Sequence, residues 1–109
     1  MFCAEPRVGR SRGQHREPFT QWLNRLRDEK TRRRILLRLR RLEQGNFGDC
    51  KSLTGGVFEL RLTFGSGYRI YYAVIDNNRI ILLCGGDKGS QPGDINRARK
   101  YWNDYKTRN

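Results

Sequence analysis

Residues 55–91, GGVFELRLTFGSGYRIYYAVIDNNRIILLCGGDKGSQ, constrain the fold more than any other part of the chain. Two segments in it alternate with period two, the repeat of an extended strand whose side chains leave opposite faces in turn. In residues 57–64, Phe58, Leu60, Leu62 and Phe64 share one face, and Glu59, Arg61 and Thr63 share the other. In residues 68–75, Ile70, Tyr72 and Val74 alternate with Arg69, Tyr71 and Ala73. Gly65-Ser66-Gly67 between them is a hairpin signal. A third strand is expected over residues 79–84, after an Asp76-Asn77-Asn78 turn. Its unbroken apolar run, residues 80–83, predicts a strand covered on both faces. The centre of the fold is therefore an antiparallel meander.

The faces constrain the hairpin register. A two-residue loop would set Arg61 opposite Ile70 and mix polar with apolar residues. A three-residue loop with one left-handed glycine pairs Leu62 with Ile70, Leu60 with Tyr72, Arg61 with Tyr71 and Thr63 with Arg69. That choice keeps one apolar face coherent, which a slip of one residue would destroy. Arg61, Arg69 and Tyr71 then emerge on one polar face. Like charges gathered there destabilise the sheet unless an anion neutralises them, and a phosphate meets that need. The competing reading for Arg61 is a salt bridge to Glu59.

Two helices precede the meander. Pro18 suits a first helical position, and Phe19, Trp22, Leu23 and Leu26 follow at helical spacing. Asp28-Glu29-Lys30 breaks or bends the run. A second helix is expected over residues 31–44, with a seam of Ile35, Leu39 and Leu42 broadened by Leu36 and Leu37. Arg32, Arg33, Arg34, Arg38, Arg40 and Arg41 cover its back, and Gly45 is a natural stop. Arginine matches phosphate bidentately where lysine does not, so Arg34, Arg38 and Arg41 are candidate nucleic-acid contacts; a solvated helix back is the alternative. Residues 45–56 read as a glycine-rich connection. A final helix is expected over residues 94–105, with Asp94 as N-cap and Ile95, Ala98 and Trp102 facing inward.

The fold class is thus α+β, an antiparallel sheet against a two-helix hairpin, with a C-terminal helix. Residues 1–17 form an arm or, over residues 2–8, a weak first strand; residues 18–109 form one domain.

A chain of 109 residues with 23 Lys and Arg against 11 Asp and Glu carries a net charge of +12, the signature of a protein that meets a polyanion. Three scattered cysteines, Cys3, Cys50 and Cys84, argue against a disulfide framework and for a reducing cytosol. The lone histidine, His15, and the lack of a CxxC pair argue against zinc. No other cofactor is expected. No apolar run reaches the length of a membrane span and no signal core opens the chain, so a cytoplasmic location is expected.

The runs GGVFELR, GSGYRIYY and LLCGGDKGSQPGDI, with LEQGNFGDCKSL upstream, resemble the RelE/ParE toxin superfamily, in particular its phage Gp49-like or HigB-like addiction module killer branch. The resemblance spans residues 19–105. It implies a RelE-like fold and the toxin of a type II toxin-antitoxin system. It further implies a ribosome-dependent endoribonuclease that cuts mRNA in the ribosomal A site and inhibits translation. The implied partners are the ribosome, mRNA and a cognate HigA-like helix-turn-helix antitoxin, through which the complex binds operator DNA. By the same resemblance Arg69 in GYR corresponds to a phosphate-stabilising arginine. Arg61 in ELR corresponds to a basic residue on the preceding strand, and Lys88 in GGDK to one just after the last strand; these three are the candidate catalytic residues. Tyr71 is a candidate for stacking on a base or sugar. The RelE branch carries a catalytic tyrosine after the last strand, whereas residues 91–94 contain none, so the general acid and base have no assigned residue. Two other readings stay open: a ParE-like gyrase-poisoning toxin without nuclease activity, and a non-catalytic basic nucleic-acid-binding module.

Overall fold

The structure, a computed structural model, describes residues 17–46, 48–75 and 79–108. The expected weak first strand or arm and the Asp76-Asn77-Asn78 turn lie outside these residues.

Helix α1 (Glu17–Arg25) carries Pro18 in its first turn and ends before Asp28. Asp28 separates the two helices because it caps the next one. Its carboxylate accepts from the Lys30 backbone N–H at 3.1 Å and the Thr31 hydroxyl at 2.9 Å. Helix α2 (Glu29–Glu43) therefore begins two residues earlier than its apolar pattern indicates. It ends at Gly45, whose φ of 92° only glycine adopts without strain; the Gly45 and Asn46 N–H groups close on Leu42 and Arg41 carbonyls.

Four antiparallel strands follow in sequence order: β1 (Cys50–Ser52), β2 (Phe58–Arg61), β3 (Arg69–Ile75) and β4 (Arg79–Gly86). Strand β1 was expected as connection. Three residues with burial on one side only are too short to give a period-two signal, and β1 forms because it adds to the edge of β2, Lys51 opposite Glu59. A short 3₁₀ turn (Lys88–Ser90) leads into α3 (Gln91–Arg108). Asp87, not Asp94, caps this segment, in a reciprocal pair with Ser90. Asp94 lies instead inside the first turn of α3, buried.

The hairpin register departs from expectation by two residues. Leu60 opposes Ile70, Phe58 opposes Tyr72 and Arg61 opposes Arg69. The loop is longer than three residues: the Leu62 N–H reaches the Tyr68 carbonyl, and Gly65 and Gly67, at φ 64° and 79°, turn the chain between them. Phe64 leaves the strand and packs against Tyr68, ring centroids 5.8 Å apart. A shift of two preserves every face, so the apolar side survives intact.

The sheet is covered on both sides. Leu60, Leu62, Ile70, Tyr72, Ile80 and Leu82 pack under Phe19 of α1 and Ile35, Leu39 and Leu42 of α2. On the other side Val57, Tyr71, Ala73, Ile81 and Leu83 pack under Ala98 and Trp102 of α3. Each fully buried large apolar side chain contributes roughly 1.5–3 kcal/mol. The architecture is α+β and consistent with a RelE-like fold. A further departure from expectation is that α3 lies over the inner part of the face read as polar.

Candidate functional site

The polar ends of three strands meet at one end of the sheet. Arg61 and Arg69 are direct cross-strand partners, and Arg69 is in turn opposite Gly86 on β4. Direct partners share a face, with Cα atoms about 4.5–5.5 Å apart. Lys88 begins the 3₁₀ turn two residues beyond Gly86 and backs onto the hairpin tip, where a Cβ built on Gly67 would stand 3.4 Å from the Lys88 Cβ. The three candidate cations thus belong to one corner of the molecule. Lys88 is exposed, the Arg61 side chain is 35% exposed, and Arg69 is partly buried. The Arg69 Nε is fully buried and has no hydrogen-bond partner among the described residues. Leaving such a donor unmet costs about 1–3 kcal/mol. Arg69 faces Arg61, and not Thr63 as the shorter loop would have required.

Beneath the arginines lies a buried acid. Glu59 is completely shielded from solvent, two residues before Arg61 on the same face of β2. Its Oε1 accepts from Arg61 Nε at 3.0 Å. Its Oε2 accepts from Gln91 Nε2 at 2.6 Å and from the Tyr71 hydroxyl at 3.3 Å. Burial pushes the Glu59 carboxyl upward, but the bonds from Gln91 and Arg61 and the charges of Arg61 and Arg69 outweigh it and hold it below the ordinary value. The salt bridge considered for Arg61 therefore exists, and it is part of a network that reaches α3. Glu59 and Gln91 are the residues that sequence reasoning missed as site components. The available signal was an acid in mid-strand on the face of two arginines, since a carboxylate buried there must be paired.

Tyr71 is placed differently from its expected stacking role. Its ring is fully buried among the side chains that face α3, and its hydroxyl donates to Glu59. Burial, then the Glu59 and Asp94 charges, push its phenol upward. The alternation put Tyr71 on the polar face correctly; α3 covers that face at Tyr71, while Arg61 and Arg69 at its end stay partly exposed.

The α2 arginines adjoin Arg61. A cleft of about 380 Å³ is lined by Arg34, Leu37, Arg38, Arg41, Asp49, Arg61 and the turn at Phe64. Arg34 lies over the Phe64 ring, 4.0 Å from its centroid. Arg38 reaches the Asn46 carbonyl at 3.4 Å across Gly48, and Arg41 is exposed. Arg61 thus connects the strand-end cations to the basic back of α2.

The segment that carries Lys88 is held from below. The buried Asp94 carboxylate accepts from the Ser90 hydroxyl and pairs with Arg97. Gly86 permits this approach, since a Cβ there would stand 2.7 Å from Asp94 Cγ and 2.8 Å from Ser90 Oγ. Cys84, behind it, has its thiol pushed up to about 12 by burial and then by Asp94, so it is a packed, inert side chain. Among the described residues no group of three or more His, Cys, Asp or Glu could hold a metal ion, and no helix is long and apolar enough to cross a membrane.

Residues 21–102 match the phage-derived Gp49-like protein family (DUF891). An uncharacterized protein of Haemophilus influenzae is 46% identical over 81 residues, which cover 74% of this chain and 82% of the relative. No solved structure matches the chain. The matched span contains the second half of α1, all of α2, all four strands, the Arg61, Arg69 and Lys88 corner and most of α3. The chain belongs to the phage-derived Gp49-like family, within the addiction module killer group of RelE-like toxins.

Proposed function

We propose that this protein is the toxin of a type II toxin-antitoxin module, HigB-like in its activity, and that it cleaves mRNA on the ribosome. The observation that carries this reading is the direct cross-strand pairing of Arg61 with Arg69 at a sheet end that also carries Lys88. In such cleavage the RNA 2′-hydroxyl attacks the adjacent phosphorus and the 5′-oxygen departs. The protein's task is to hold the hydroxyl in line and to stabilise charge on the phosphate. Arg69 and Arg61 supply that charge. Lys88, exposed beside them, is the group available to the leaving oxygen. The basic cleft of Arg34, Arg38, Arg41 and Arg61 supports the same reading, because it offers a track for the flanking backbone. A net charge of +12 also calls for an inhibitor that is acidic where it touches the chain, in keeping with the antitoxin partner that the family implies.

The test is single-turnover mRNA cleavage on programmed ribosomes at saturating protein. Arg69→Ala removes one well-placed donor, worth roughly 3–4 kcal/mol of transition-state stabilisation, or about two to three decades in rate. Arg69→Lys recovers only part, because an ammonium cannot grip a phosphate at two points. Cleavage by Arg69→Ala at the parental rate removes Arg69 from the catalytic set, and absence of ribosome-dependent cleavage by the parental protein overturns the nuclease reading in favour of a gyrase poison or a simple binding module.

A further inference from the structure

Glu59 carries an inference beyond the cation corner itself, although it rests on the nuclease reading above. A sheet face with two arginines side by side repels itself, and the free guanidinium groups would splay towards water. Here a carboxylate with no solvent exposure sits below them, hydrogen-bonded by Arg61, Tyr71 and Gln91. A buried charge of this kind survives only when it is paired and its lone pairs are satisfied. Three donors from three elements meet that condition: Arg61 from β2, Tyr71 from β3 and Gln91 from the first position of α3. The Gln91 link matters because Gln91 follows Lys88 by three residues, at the exit of the same 3₁₀ turn.

We propose that Glu59 is a positioning residue, a buried counter-anion that fixes Arg61 beside Arg69 for the scissile phosphate and ties the Lys88 turn to β2 through Gln91. Its geometry excludes contact with RNA. The bond to Arg61 uses Nε, so the Nη edge of that guanidinium is the part a phosphate meets. One negative charge offsets one of the two arginines, and the pair keeps a single net positive charge. The result is a preorganised donor set that needs no rearrangement when the phosphate gains charge.

The experiment compares Glu59→Gln, Gln91→Ala and Arg69→Ala with the parental chain in two measurements. One is single-turnover cleavage on programmed ribosomes; the other is affinity for a single-stranded RNA oligonucleotide as salt is varied. Glu59→Gln removes the anion and keeps the shape. Its cleavage rate falls by about 10²-fold, the scale of a small misplacement of reacting groups. Its RNA affinity stays equal or rises, because a negative charge near the phosphates is gone. Gln91→Ala shows the same split with a smaller fall in rate. A merely structural residue would lower rate and affinity together, and that result overturns the proposal, as does parental cleavage by Glu59→Gln. If Glu59→Gln does not fold, Gln91→Ala decides alone, and a parental rate there is fatal. An inactive Arg69→Ala beside a fully active Glu59→Gln sinks only the role of Glu59, whereas absence of cleavage by the parental chain sinks the nuclease reading and the proposal with it.

Discussion

Arg61 and Arg69 stand directly opposite one another across the β2–β3 pair, on the same sheet face as the buried carboxylate of Glu59. Arg61 reaches that carboxylate at 3.0 Å, whereas the buried Nε of Arg69 has no hydrogen-bond partner among the described residues. The two arginines are therefore unequal. One is anchored, and the other is held at a cost.

That inequality predicts a trade between stability and activity at Arg69. Arg69→Met keeps most of the aliphatic stem while removing an unmet buried donor and a like-charge neighbour. Its unfolding free energy in urea is expected to rise by about 1 kcal/mol, with RNA cleavage lost. A clear loss of stability would show that the Arg69 charge supports the fold.

Stability should depend on pH through Glu59. Its folded pKa is depressed below the ordinary 4.5. A depressed carboxyl contributes stability that is fully present above its unfolded pKa and is lost as pH falls through the folded one. Urea midpoints measured near neutrality and at about pH 3 should drop more steeply for the parental protein than for Glu59→Gln, which has no group to protonate there. Equal drops would place the acid sensitivity elsewhere.

Two glycines near the Lys88 turn should respond in opposite senses. At Gly86 an added Cβ would meet Asp94 and Ser90, and Asp94 is clamped by Arg97. Gly86→Ala is expected to destabilise by about 1–3 kcal/mol through overpacking. Gly93 lies within α3 with nothing near an added Cβ. Gly93→Ala should stabilise by about 0.4–1 kcal/mol, because it restricts the unfolded chain and favours helix. Thermal unfolding of the two variants checks both signs.

The cleft on α2 should behave as an electrostatic track. Arg34 lies over Phe64 and lines the cleft with Arg61. Arg34→Gln should weaken RNA binding modestly and reduce the slope of log affinity against log salt by about 0.7, the value for one single-strand phosphate contact. Its cleavage rate at saturating protein should not change. An unchanged salt slope would remove Arg34 from the interface.

Much of this corner could be read from the residues alone. Period-two alternation assigned Leu60, Leu62, Ile70 and Tyr72 to one face and Arg61, Arg69 and Tyr71 to the other, and the packing agrees. Alternation determines parity because neighbouring side chains on a strand must point opposite ways. It cannot separate registers that differ by two residues, since both bury the same side chains. The loop made that choice: Gly65 and Gly67 with positive φ and Phe64 folded against Tyr68 favour the longer turn, which sets Arg61 against Arg69. Nor does alternation say whether a polar face is open. Tyr71 and Glu59 read as surface residues, yet both are buried, because α3 packs on that face and each satisfies the other with a hydrogen bond. The stop at Gly45 depends on local chemistry within a few residues, and the sequence alone determined it; the Asp28 cap of α2 is as local, but residues 28–30 read as a break and the helix was expected only from residue 31. The short edge strand β1, the buried Asp94 and the Glu59–Gln91 link, which spans 32 positions, depend on partners distant in the chain, and only the tertiary structure decided them.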